Sequence, residues 1–276
     1  MKKCLSFKIL YICISIIVPC KVYALDITVG ATTWYAWGSR YENTHEYGIR
    51  VNNDYAFDPT FLYGPVISVK LNDDFNLTFV YLYSKFNYKE ELYEDAGGAL
   101  FVKSKIKRSD SDLALNYKLN NYFKVFIGAK YLSYEIKLSF DDPNPSNGYC
   151  YSNSKHSSIG PGLGLSATLP VAENIFLLAT LSGFYLYSTG EKFEDDGIYY
   201  YKGTKPANMT VGYNEYGINS NISAAYYIAQ FSTAISLGAR FQYFITNYNK
   251  YDPFYINSIK NMFYGITLTA TYTFSI

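Results

Sequence analysis

Several things that a soluble enzyme or a helical membrane protein would need are scarce in this chain. Three of the four cysteines, Cys4, Cys13 and Cys20, fall within the first 24 residues and leave Cys150 alone, so the remainder can form neither an internal disulfide nor a cysteine-based zinc cluster. There are two histidines, His45 and His156. Charged residues make up 17% of the chain, low for a soluble protein. Past residue 24 no apolar run approaches the ~18 residues that a spanning helix requires. Basic clusters that would suit nucleic acid are also lacking.

The first 24 residues have the order of a secretory leader: Lys2 and Lys3, an apolar Leu5 to Val18 interrupted by Lys8, and the small-residue exit Val22-Tyr23-Ala24. Cleavage is expected after Ala24, which divides the chain into a signal peptide, 1–24, and a mature portion, 25–276. A lipoprotein signal ending at Cys20 is the rival reading, disfavoured because Pro19 stands where such signals prefer a small residue. Lys2, Lys3, Lys8 and Lys21 leave with the leader, so 20 basic residues face 23 acidic ones in the mature chain.

What the chain has in abundance is tyrosine, 32 residues of it, within an aromatic content of 19%. Mean hydropathy is nevertheless −0.08. The two fit together if apolar and polar residues alternate, as they do most regularly in the last thirteen residues. Side chains in a strand point to opposite faces in turn. Tyr264, Ile266, Leu268, Ala270, Tyr272, Phe274 and Ile276 therefore share one face, and Gly265, Thr267, Thr269, Thr271, Thr273 and Ser275 the other. Aromatics near both ends of an aliphatic face suit a strand that meets two lipid interfaces. The stretch resembles the C-terminal strand of bacterial outer-membrane β-barrels, which is read by the barrel-insertion machinery. Tyr272, Phe274 and Ile276 would carry that signal, although the final residue here is isoleucine where the pattern favours an aromatic.

The same alternation recurs nine more times, giving an all-β chain of ten antiparallel strands. Short turns at 72–74, 120–121, 170–174 and 229–230 alternate with longer stretches at 38–60, 89–107, 141–156, 189–212 and 247–260. Short turns on one side and long loops on the other are the mark of transmembrane β-barrels with periplasmic turns and extracellular loops. In strand five the apolar phase slips after Tyr131 to Leu132, Tyr134, Ile136 and Leu138, which predicts either a bulge or a strand protruding past the membrane. Gly30-Ala31, Gly128-Ala129-Lys130-Tyr131 and Gly238-Ala239-Arg240-Phe241 form a weak internal repeat, as do Gly64-Pro65 and Gly160-Pro161.

On the inward phase lie Asp112, Lys124, Lys130, Glu215 and Arg240. A barrel little wider than eight strands is filled by its own side chains, so these residues are expected to form a lumenal charged network, with Arg240 and Lys130 partnering the acids. Ten strands is also the size of the omptin proteases, and Asp110-Ser-Asp112 resembles their Asp pair. Their Asp-x-His pair is missing, because neither His45 nor His156 has an aspartate two residues before it. His156-Ser157-Ser158 resembles the His-x-Ser of lipid A deacylases, but no acid follows at the family's spacing. No catalytic residue, metal set or cofactor is therefore assigned. The expectation is a non-enzymatic outer-membrane barrel, similar in build to OmpA/OmpX-type, Opc-type and omptin barrels. Its partners would be outer-membrane lipid and any extracellular ligand met by the loops. A narrow porin and an outer-membrane hydrolase are the alternatives.

Overall fold

In the computed structural model the described residues are 25–46, 49–93, 99–141, 151–188, 191–194, 209–248 and 256–276. Residues 1–24 and Cys150 lie outside them. Ten long strands make the wall: β1 (Asp26–Glu46), β2 (Ile49–Lys70), β3 (Phe75–Tyr93), β4 (Ala99–Lys118), β5 (Phe123–Asp141), β6 (Tyr151–Ala172), β7 (Ile175–Ser188), β10 (Tyr213–Ile228), β11 (Thr233–Tyr248) and β12 (Ile256–Ser275). Two short strands, β8 (Glu191–Glu194) and β9 (Met209–Val211), extend the sheet from β6. Each long strand pairs antiparallel with its chain neighbours, and β12 returns to pair with β1 from Asp26↔Ser275 to Thr44↔Ile256, so the sheet closes. Leu25 and Ile276 exchange backbone hydrogen bonds at the foot of this seam.

The short turns follow from their sequence. Asn72 and Asn120 each accept hydrogen bonds through Oδ1 from the backbone N–H groups two and three residues on, at 2.8–2.9 Å. This is the side-chain mimicry that makes asparagine a turn residue. Asn174 turns the next hairpin at φ 60, a left-handed conformation that asparagine tolerates. A single 3-10 turn, Ala229–Phe231, makes the last.

The strands run well into the stretches expected to be loops. β2 and β6 have 22 residues each, whereas about ten tilted residues span a bilayer. On β12 the exposed apolar face runs from Tyr264 to Ile276. Tyr264 to Phe274 covers roughly 33 Å of strand, which at barrel tilt matches an apolar band about 25 Å tall. Beyond that band the alternation continues with its faces exchanged. Leu132, Tyr134 and Ile136 of β5 point into the barrel with no break in register on either side, so of the two expectations for this strand protrusion is the correct one. Leu82 and Phe86 of β3 and Ile106 of β4 point in as well, while Lys85, Asn87, Lys105 and Lys137 face out. The wall is thus a membrane barrel, greasy outside, continuous with a soluble-style barrel, greasy inside.

One irregularity serves that exchange. Phe57 and Leu62 of β2 are five residues apart and would face opposite ways in a regular strand, yet both are buried inside. The register against β1 skips between Ala36↔Thr60 and Gly38↔Phe57, leaving Asp58-Pro59 as a bulge. A bulge is where a strand tolerates proline, and this one turns Phe57 inward. The repeated glycines have a packing reason too. Gly128 faces the lumen, and a Cβ there would stand 2.0 Å from the Leu113 carbonyl oxygen of the next strand. A closed barrel of this kind should resist detergent until heated, so unboiled protein is expected to migrate apart from boiled protein on a gel. Unchanged migration together with a water-soluble monomer would count against the fold.

Candidate functional site

The interior divides into three tiers. Nearest the short turns it is polar and open: Thr28 and Thr273 share a hydrogen bond of 2.8 Å, Thr32 and Thr269 one of 2.7 Å, and Asn116 Nδ2 donates to the Asn76 carbonyl at 3.1 Å. Two cavities occupy this tier. One of about 260 Å³ sits at the mouth between Asp26, Lys70, Lys118 and Lys124, and one of about 290 Å³ lies deeper, against Asn116, Ser182, Asn219 and Asp112. Polar groups within mixed walls and that volume suit water.

A layer of ion pairs closes the lumen above them. Asp110 on β4 lies at its centre, accepting from Lys130 Nζ at Oδ1 and from Arg108 Nη2 at 3.2 Å and Gln242 Nε2 at 3.3 Å at Oδ2. Lys130 also donates to both oxygens of Asp112, at 3.0 and 3.1 Å. Arg240 Nη2 stands 3.8 Å from Asp110 and 3.9 Å from Asp112, and its Nε donates to Asn219 Oδ1 at 3.1 Å. Arg108 Nη2 donates to Gln242 Oε1, closing the ring from β4 to β11 across the lumen. The Arg108, Asp110 and Lys130 side chains are at most 4% exposed.

Three cations thus face two carboxylates. The excess charge is taken up by rings: the Arg108 guanidinium lies 4.0 Å from the centre of Phe263, with Tyr134 and Trp34 within 6 Å, and Arg240 lies 4.8 Å from Trp34. A desolvated cation over an aromatic face gains ~2 kcal/mol or more.

The third tier, toward the long loops, is an aromatic core in which Phe57, Phe86, Phe244 and Phe263 pack at centroid distances of 5.7–6.3 Å. A void of about 30 Å³ remains among them, room for about one water. On its wall Glu215 of β10 accepts from Ser158 Oγ and from Thr246 Oγ1 at 3.0 Å. The His156 ring packs at a tilt against Tyr213, with 5.7 Å between ring centroids.

Of the residues expected to form one lumenal network, Asp112, Lys130 and Arg240 come together. Glu215 and Lys124 do not join them. Glu215 belongs to the tier above with hydroxyl partners, and Lys124 lies at the short-turn mouth beside Lys118. Arg108, Asp110 and Gln242 complete the layer. The signal for the first two was available, because Arg108 and Asp110 continue the inward phase of Asp112, Ala114 and Asn116 along the same strand. The acid missing near His156-Ser157-Ser158 is supplied from a distant strand as Glu215. Ser158, however, donates straight to that carboxylate and is 1% exposed, beside a void too small for an acyl group. Asp110 and Asp112, the pair resembling the omptin acids, are engaged by cations. Among the described residues no group of histidine, cysteine and acid could hold a metal.

The architecture defines a bacterial outer-membrane β-barrel, closed by ten antiparallel strands with short periplasmic turns and extracellular loops. Solved structures of the same class resemble it. The outer membrane protease OmpT of Escherichia coli aligns with a TM-score of 0.59 at 12% identity, over 94% of this chain and all of that one. The translocator domain of the autotransporter NalP from Neisseria meningitidis aligns at 0.43, with 8% identity over 97% of this chain and 93% of that one. OprG from Pseudomonas aeruginosa aligns at 0.36, with 11% identity over 92% and 97%. At 12% identity the likeness to OmpT is one of fold alone. No protein-family model matches the sequence, and no curated protein matches it.

Proposed function

We propose that this protein is a sealed, non-catalytic outer-membrane barrel whose tall extracellular wall and loops serve surface recognition or adhesion. The observation that carries the reading is the closed middle tier: Arg108, Asp110, Lys130 and Gln242 are buried and cross-bonded from wall to wall, and an aromatic core stands directly above them. Ions would have to break buried charge pairs and then cross an apolar plug, each step costing several kcal/mol. The strands carry the loops well clear of the lipid, a suitable mount for recognition. Export through a cleaved leader, and insertion guided by Tyr272, Phe274 and Ile276, complete the proposal.

Single-channel recording on the refolded barrel tests it: the bilayer is expected to stay silent at moderate voltage. The narrow-porin alternative draws on one observation, the open lower tier with its cavities of about 260 and 290 Å³. Regular conductance steps would favour it and end the sealed-barrel reading.

A further inference from the structure

Just above the lipid band, the outer wall of β3 to β6 carries two rows of cationic residues. Cross-strand register aligns Lys85↔Lys107, Lys107↔Glu135 and Glu135↔Lys155 in one row, and Asn87↔Lys105, Lys105↔Lys137 and Lys137↔Asn153 in the next. Five lysines surround one glutamate. Glu135 accepts from Lys107 at 3.0 Å and stands 3.6 Å from Lys137. The Lys107 hydrogen bond holds its carboxyl below the usual carboxylate range, so it stays ionised and offsets part of the charge.

Two of these pairs, Lys85↔Lys107 and Lys105↔Lys137, set like charges directly opposite each other, an arrangement that destabilises a sheet unless something neutralises it. The opposite wall is different: at this level the described outward residues of β10, β11, β12 and β1 include Tyr216, Tyr243, Ile245, Met262 and Tyr41, with one lysine, Lys260, lying 5.4 Å from the Tyr41 ring. Level also matters. The row of Lys85 and Lys107 stands two residues above Tyr83↔Ser109 and four above Tyr81↔Ser111↔Tyr131, the tyrosines that end the lipid-facing band. That is roughly 7 and 13 Å along the strands, the height of headgroups.

We infer that this face is a binding site for the phosphorylated headgroups of outer-leaflet lipid. The lysines point sideways from the wall at headgroup height, so the phosphates they meet are those of lipids packed against the barrel. Docked phosphates would relieve the repulsion between the opposed lysines and fix the barrel's orientation relative to its lipid annulus.

The test uses the refolded full barrel in neutral detergent, titrated with bisphosphorylated lipid A, with the same lipid lacking phosphate, and with inorganic pyrophosphate. The variants are Lys85→Gln/Lys105→Gln/Lys155→Gln, which keeps the Lys107 and Glu135 pair, and Lys260→Gln on the opposite wall. Phosphorylated lipid is expected to bind better than either control ligand, and the triple variant to lose more than about tenfold of that affinity, since each lysine near an anionic surface adds to attraction. Lys260→Gln should leave it unchanged. The triple variant should also unfold in neutral detergent at a urea concentration no lower than the parent, because charge repulsion is removed. Equal binding by parent and triple variant, no preference for the phosphorylated lipid, or pyrophosphate binding as tightly as lipid A would overturn the inference.

Discussion

Asp110→Ala is expected to lower stability by about 3–5 kcal/mol, the range for removing one member of a buried ionic group and leaving the others uncompensated. Asp110 is where three of the layer's cations converge: Arg108, Lys130 and Arg240 all stand within 3.8 Å of its carboxylate. Without it Asp112 alone would face three positive charges in a closed lumen. Lys130→Met is the informative contrast. It leaves two cations against two acids, so its cost should be smaller although it removes as many hydrogen bonds. Urea unfolding in lipid vesicles reads both. Should Asp110→Ala unfold at the parent's midpoint, the layer would be ornamental and the sealed-lumen reading would lose its footing. A larger loss for Lys130→Met would show that hydrogen bonds outweigh charge balance here.

Leu268→Arg should cost about 2–4 kcal/mol, the penalty for a basic residue on the lipid face at the bilayer midplane. Leu268 lies halfway between the exposed Tyr264 and Tyr272 and points outward beside Leu237 of β11. The neighbouring Thr269 points inward, sharing a 2.7 Å hydrogen bond with Thr32 in the polar lower tier. Thr269→Arg should therefore be the milder change, with water to solvate it. Glu215 is too distant to pair with an arginine at this position: register places Glu215 level with Thr246 and Ile259, about ten residues or roughly 33 Å further along the wall. Refolding both variants into vesicles and unfolding them in urea decides the matter, with Thr269→Lys and Thr269→Gln separating charge from bulk. If Thr269→Arg proves the more damaging, the strand's phase is reversed and every lumenal assignment falls with it.

The face a residue takes and the partner it meets are settled at different levels of structure. The inward and outward faces of β12 follow from a period of two that any reader of the sequence can count, since lipid on one side and a polar lumen on the other impose opposite chemistry on successive residues. The same alternation determined the strand number, the short turns at Asn72 and Asn120, and the inward phase of Asp112, Lys130 and Arg240. It was less informative where the solvent outside the wall changes from lipid to water. There the apolar side chains turn inward, so stretches such as 89–107 lose the apolar-out pattern and look like loop. Leu82, Phe86 and Ile106 carry the exchanged pattern in plain view, but which face they bury depends on where the membrane stops. The bulge at Asp58-Pro59, which turns Phe57 inward, follows from pairing with β1 and from no local rule.

What only the tertiary structure decided is which inward charges meet. Alternation says that a residue faces the lumen. It does not say at what height, because height across a tilted and sheared sheet depends on the register of every strand between. Lys130 and Arg240, far apart in sequence, arrive at Asp110 together, while Glu215, equally inward, is carried past them to Ser158 and Thr246. The sequence by itself determined the wall and its two faces, since side-chain alternation is local; closure of the sheet decided the contents of the lumen, since a charge chooses its partner by distance and distance is settled only when the last strand meets the first.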